Sequence, residues 1–128
     1  MSKGKTRYEE LNEAIGLMAV TMARLENIKG PFAILLPKKE ADLKKEGKSL
    51  NHCVWDGSYA EKLAKGGLMV AFIRRKRSRA SSFVTVSFNL KSRQVEQCYG
   101  MKNSKPEKRV MDFINGPFER TAKKIKVG

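Results

Sequence analysis

The chain is short of the residues that carry most recognisable chemistry. Its 128 positions hold two cysteines, one histidine, one tryptophan and four prolines. Cys53 and Cys98 cannot build a disulfide framework, which excludes the stapled secreted scaffolds. One histidine and two cysteines outside any Cys-x-x-Cys pair also exclude a conventional zinc site, so no metal and no other cofactor is expected. No apolar run approaches the ~20 residues of a membrane span, and nothing at the N-terminus reads as a secretory signal. A reduced, cytoplasmic protein without a membrane partner is the expectation. Glycine loops of the Walker or Rossmann type, recognition helices and RNA-recognition motifs are missing as well.

Acidic residues are the remaining shortage. Against 27 Lys and Arg there are 13 Asp and Glu, for a formal net charge of +14. Such an excess points to a polyanionic partner, with nucleic acid first and an anionic membrane surface or acidic protein next. The excess is local. Ten of the fourteen net positive charges fall between Lys65 and Arg109, centred on Arg74-Arg75-Lys76-Arg77-Ser78-Arg79.

The length suits one domain with a real core. Residues 1–7 read as a flexible basic N-terminus and 8–128 as a single α+β domain. Tyr8, Leu11, Ile15, Met18, Met22, Leu25 and Ile28 recur in steps of three and four, which predicts one helix of about six turns ending at Gly30-Pro31. Its stripe faces the core or, alternatively, a dimer seam, so the state is monomer or dimer. Phe32 to Leu36 reads as a short buried strand. Lys38 to Glu46 reads as a charged helix with Ala41 and Leu43 inward, stopped by Glu46-Gly47. Another short helix follows over Ser58 to Lys65.

Three strands come next: Leu68 to Arg74, apolar almost throughout, Ser82 to Leu90, and Arg93 to Tyr99. Short connections make them an antiparallel meander, with Phe32 to Leu36 added at an edge. Alternation sets Phe83, Thr85 and Ser87 against Val84, Val86 and Phe88, so at most one of the two phenylalanines is an exposed stacking platform. Pro106 opens a helix that Asn115-Gly116-Pro117 interrupts before a basic tail helix from Phe118. The expected architecture is an α+β fold, a small antiparallel meander of three to four strands covered on one face by N- and C-terminal helices.

Two stretches concentrate function. The tip of the first hairpin, with Arg74, Arg75, Lys76, Arg77 and Arg79, forms an arm able to grip phosphates bidentately. Lys91, Arg93 and Lys102 are additional backbone contacts. The alternative is a solubilising loop whose like charges protect a strand edge. The second stretch, Leu50 to Tyr59, gathers His52, Cys53, Trp55 and Tyr59 at a junction between helices, where polar tips can line a pocket or simply fill a core corner.

The run Glu46-Gly47-Lys48-Ser49-Leu50-Asn51-His52-Cys53-Val54, then Gly57-Ser58-Tyr59-Ala60, Lys65-Gly66, Phe72-Ile73-Arg74, Phe83-Val84-Thr85-Val86 and Gln97-Cys98-Tyr99-Gly100-Met101-Lys102-Asn103, resembles the PcfJ-like proteins of bacterial conjugative plasmids, phages and other mobile elements. The resemblance spans about residues 32–114. It implies one polar pocket made by His52, Cys53, Tyr59, Arg74, Thr85, Gln97, Gly100 and Asn103, suited to a phosphate or nucleotide. Three positions depart from the pattern. Trp55-Asp56 is inserted before Gly57, Ser87 stands where an acidic residue is usual, and Tyr99 and Met101 replace the usual Arg and Lys around Gly100. If the missing carboxylate is a general base, fold and pocket persist without the reaction.

The leading expectation is therefore a small basic nucleic-acid-binding protein, RNA or DNA, of a mobile element. The second is an enzyme on nucleic acid or nucleotides, with His52 as general acid or base, Arg74 holding a phosphate and Gln97 or Asn103 orienting substrate. The third is an inhibitor that binds a host nucleic-acid-processing protein.

Overall fold

The computed structural model describes residues 6–50 and 57–126, the side chains of 57–59 excepted. Helix α1 (Arg7–Thr21) opens on Thr6, whose hydroxyl accepts from the Glu9 N–H at 3.1 Å, with Glu9 and Glu10 in the first turn. The expected six-turn helix is shorter. It leaves α geometry at Met22 and tightens into a 3₁₀ segment, Ala23–Asn27, that keeps Met22 and Leu25 fully buried, while Tyr8 is exposed.

Strand β1 (Phe32–Leu35) leads into α2 (Glu40–Leu50) and α3 (Gly57–Ala64). The Asn12 side chain of α1 accepts from the Glu40 N–H at 2.8 Å, fixing the start of α2 against α1. Gly47 does not stop α2. The helix runs on to Leu50, and its buried face is Leu43, Glu46, Gly47 and Leu50, whereas Ala41 is exposed. An isolated glycine inside a helix is tolerated at a cost of about 1 kcal/mol relative to alanine.

Gly66, with φ of +77°, makes the turn into β2 (Leu68–Arg75). Strands β3 (Val84–Asn89) and β4 (Gln94–Tyr99) complete a four-stranded antiparallel sheet in the order β1-β2-β3-β4, with β1 at the expected edge. Register pairs Ile34 with Ile73 and Ile73 with Val84, and a bulge shifts β4 between Ser87 and Phe88.

Helices cover both faces of this sheet, not one. Met69, Ala71, Ile73, Val84, Val86 and Phe88 pack with Met22, Leu25, Phe113, Ile114 and Phe118, while Leu68, Val70 and Phe72 pack with Leu11, Ile15, Leu43, Ala60 and Leu63. The signal is in β2 itself: an almost unbroken apolar strand needs partners on both sides, whereas one-sided cover requires alternation.

The C-terminal segment is also more continuous than its sequence suggests. Helix α4 (Lys108–Phe113) passes through a π-helical stretch, Ile114–Phe118, into α5 (Glu119–Lys124), with helical angles from Phe113 (φ −64°, ψ −44°) to Glu119 (φ −62°, ψ −42°). Widening of the turn absorbs Pro117, which lacks an N–H and clashes in an ordinary α-helix. Ile114 and Phe118 thereby stay on the buried side. Among the described residues, no helix is long and apolar enough to cross a membrane.

Candidate functional site

The β2–β3 hairpin carries two cavities on opposite sides of its tip. The first, about 330 Å³, is lined by Pro31, Phe32, Arg75, Lys76, Arg77, Phe83, Glu107, Arg109 and Val110. All four cations are exposed. The Arg75 guanidinium lies 4.1 Å from the Phe83 ring centroid, and the Arg109 guanidinium 5.7 Å from that of Phe32. Phe32 is itself braced by Phe113, with ring centroids 5.5 Å apart. Cation–π contact holds each guanidinium near its ring and leaves N–H groups available for an anion. Glu107 is the single carboxylate on this wall.

Phe83 does not obey the alternation read from the sequence. It precedes the first paired residue of β3, so its direction is not set by the pleat, and it packs half-buried on the same core as Phe88. Phe88 is fully buried, so of the two rings Phe83 alone keeps exposed surface.

The second cavity, about 390 Å³, lies between α2 and the other side of the hairpin. Arg74 belongs here. Expected on the exposed arm holding phosphate, it is 8% exposed, because the pleat turns it to the face opposite Arg75. Its Nη2 donates to Glu46 Oε1, and Nη1 donates to the Arg79 carbonyl at 2.7 Å. The Ser82 hydroxyl also donates to Glu46 Oε1, at 2.8 Å. Among the described residues, Glu46 Oε2 and Arg74 Nε are buried without hydrogen-bond partners. Burial outweighs Ser82 and Arg74 and raises the Glu46 carboxyl above its ordinary value.

Other expected contacts divide similarly. Arg79, Lys91 and Lys102 are exposed, the last with φ of +54°. Arg93 is taken out of the surface set: its Nη2 donates to the carbonyls of Lys123 at 2.7 Å and Ile125 at 2.8 Å, placing a cation at the C-terminal end of α5. Arg93→Ala is expected to lower stability by about 1–2 kcal/mol through the loss of this cap, with oligonucleotide affinity of the folded protein unchanged. Urea unfolding beside an anisotropy titration checks both.

His52 and Cys53 lie outside the described residues, as does the side chain of Tyr59. Arg74, Thr85 and Gln97 share one sheet face, because Phe72 pairs with Thr85 and Ser87 with Gln97. Thr85 is buried and Gln97 exposed. Gly100 directly follows β4, and Asn103 lies in the next turn, against α2. The cavity beside Arg74 is lined by Glu46, Ser49, Arg79 and Ser82 in place of Thr85, Gln97 and Asn103. Ser87, where the resemblance leads one to expect a carboxylate, is buried, and its hydroxyl is unpaired among the described residues. Burial pushes the half-buried Cys98 thiol up to about 11, so little nucleophilic thiolate exists at neutral pH.

Glu46, Ser82 and Arg109 escaped the sequence reading. Glu46 had a signal, since it falls three residues after Leu43 and four before Leu50, on the buried stripe. Arg109 had none beyond its place in the basic segment.

A family model described as PcfJ-like protein matches residues 3–112. An uncharacterized protein of Listeria innocua serovar 6a, Lin1253/Lin1744, is 31% identical over 123 residues, which are 96% of this chain and 24% of that protein. The chain thus spans about a quarter of the length of the curated relative it matches. No solved structure matches. The match takes in α1 as well as the sheet and most of α4, beyond the stretch that the short motifs mark, and the chain belongs to the PcfJ-like protein family.

Proposed function

We propose that the protein binds single-stranded or looped nucleic acid through the arm side of the hairpin. Arg75, Lys76, Arg77 and Arg109 hold consecutive phosphates, and an unstacked base enters beside the Arg75–Phe83 stack. What carries this reading is the 330 Å³ cavity, where four exposed cations meet one carboxylate and an aromatic ring already covered by a guanidinium plane. Base–aromatic stacking combined with a cationic track is how sequence-tolerant single-strand binders work. A flat duplex would touch the cations but leave the cavity empty. The setting is a bacterial mobile element, in keeping with the family.

Binding is favoured over catalysis by one observation. Arg74, the residue expected to hold a substrate phosphate, already has a carboxylate partner in Glu46. The test is fluorescence anisotropy with single-stranded RNA, single-stranded DNA and duplex DNA at several salt concentrations, with product analysis over time. Tight, salt-dependent binding of single strands without cleavage is expected. Absence of binding to all three ligands would sink this reading and direct attention to a host protein partner.

A further inference from the structure

We propose that the cavity between α2 and the hairpin is a separate mononucleotide site. There Lys38, Lys45 and Arg79 take the phosphate, and Phe72 with the Glu46–Arg74 pair receives the base. At about 390 Å³ it has the size of a small-ligand pocket.

The charges around it are unevenly used. Glu26 accepts from the Leu36 N–H at 3.3 Å, Asp42 accepts from the Lys38 N–H at 2.9 Å, and Glu46 is occupied by Arg74 and Ser82. Lys38, Lys45 and Arg79 are exposed and have no carboxylate within ion-pair distance among the described residues. With the Glu46–Arg74 pair set aside, three cations face two carboxylates, Glu26 and Asp42, each turned to a backbone N–H, so the mouth keeps a net positive charge that suits a phosphate.

The wall beneath is of another kind. Leu35, Leu36, Phe72 and Ala80 make it apolar, and the Arg74 guanidinium lies 5.7 Å from the Phe72 ring centroid. At its polar point, Glu46 and Arg74 keep one acceptor, Oε2, and one donor, Nε, covered and unsatisfied among the described residues. Native proteins rarely leave such atoms unpaired without a function. Every nucleobase presents a donor beside an acceptor on its pairing edge. The last torsion of the Glu46 side chain has a broad profile, so a bound base that replaces the Ser82 hydrogen bond would draw an oxygen toward the cavity. Inorganic phosphate or a sugar phosphate would satisfy the cations alone. A nucleotide satisfies the cations, the apolar wall and the polar pair together.

This site is independent of the arm, and its test separates the two. The full chain is titrated calorimetrically with GMP, AMP, UMP, CMP and inorganic phosphate. At least one nucleotide is expected to saturate a single site and to bind about tenfold or more tightly than inorganic phosphate. Lys45→Glu, an exposed change that spares the core, is expected to weaken it about tenfold or more, and Arg77→Glu to leave it unchanged. Glu46→Gln is expected to reorder the four bases; if that variant does not fold, Lys45→Glu decides. The proposal is overturned if no nucleotide saturates, if inorganic phosphate binds as tightly, or if Arg77→Glu weakens binding as much as Lys45→Glu. Loss of oligonucleotide binding alone, with mononucleotide binding intact, counts against the arm and not against this cavity.

Discussion

Arg74→Ala is expected to lower the unfolding free energy by about 3–5 kcal/mol, a large share of what a domain of this size possesses. Truncation leaves the Glu46 carboxylate, 2% exposed, without its charged partner, and only the Ser82 hydroxyl remains to it. The Arg79 carbonyl at the hairpin tip loses its donor as well. Cost comes from the stranded charge more than from the lost attraction. Replacing both members with apolar residues, Glu46→Leu with Arg74→Met, is therefore expected to recover most of the loss. Urea unfolding of Glu46→Leu, Arg74→Met and the double variant, followed by circular dichroism, measures this as a coupling energy.

The same pair gives stability a pH dependence. Because burial raises the Glu46 carboxyl in the folded state, folding takes up a proton above the ordinary value of 4.5. The contribution is fully present below that value and is lost as pH rises through the folded pKa. Wild-type stability is expected to fall relative to Glu46→Gln over that window and to run parallel above it. A constant difference between the two across the window would refute the shift.

Combined removal of Arg75, Arg77 and Arg109 as alanines is expected to weaken single-strand binding about 100-fold at 0.1 M salt and to reduce the salt slope by about 2. Each phosphate contact on a single strand contributes ~0.7 to that slope, so three contacts account for both numbers. All three side chains are exposed, and their stacking on Phe83 and Phe32 contributes about 1 kcal/mol or less each, so the fold persists. Phe83→Leu keeps every charge and much of the packing. It is expected to weaken binding about 10-fold with the salt slope unchanged, because base stacking is not a counterion effect. Anisotropy titrations at four or more salt concentrations distinguish these outcomes. A slope that ignores the three arginines would place the nucleic acid elsewhere on the chain.

Local chemistry in the sequence determined the element order, the antiparallel meander and the concentration of cations near the hairpin tip. These depend on residue periodicity, turn residues and composition over a few neighbours. The short ordered motifs also identified the family. What the sequence misassigned were matters of direction. Arg74 and Arg75 are consecutive, similar and equally basic, yet the pleat sends one to a buried carboxylate and the other to the surface. Phe83 lies one residue outside the strand whose alternation it was expected to follow. Arg93 meets α5 from 29 to 32 positions away, a contact that no local pattern encodes. Pro117 reads as a break, but burial of Ile114 and Phe118 on the sheet outweighs one missing N–H and keeps the helix going in a wider form. Tertiary structure decided which charges are free to meet a ligand, because a charge is spent or spared by partners that the fold brings from distant parts of the chain.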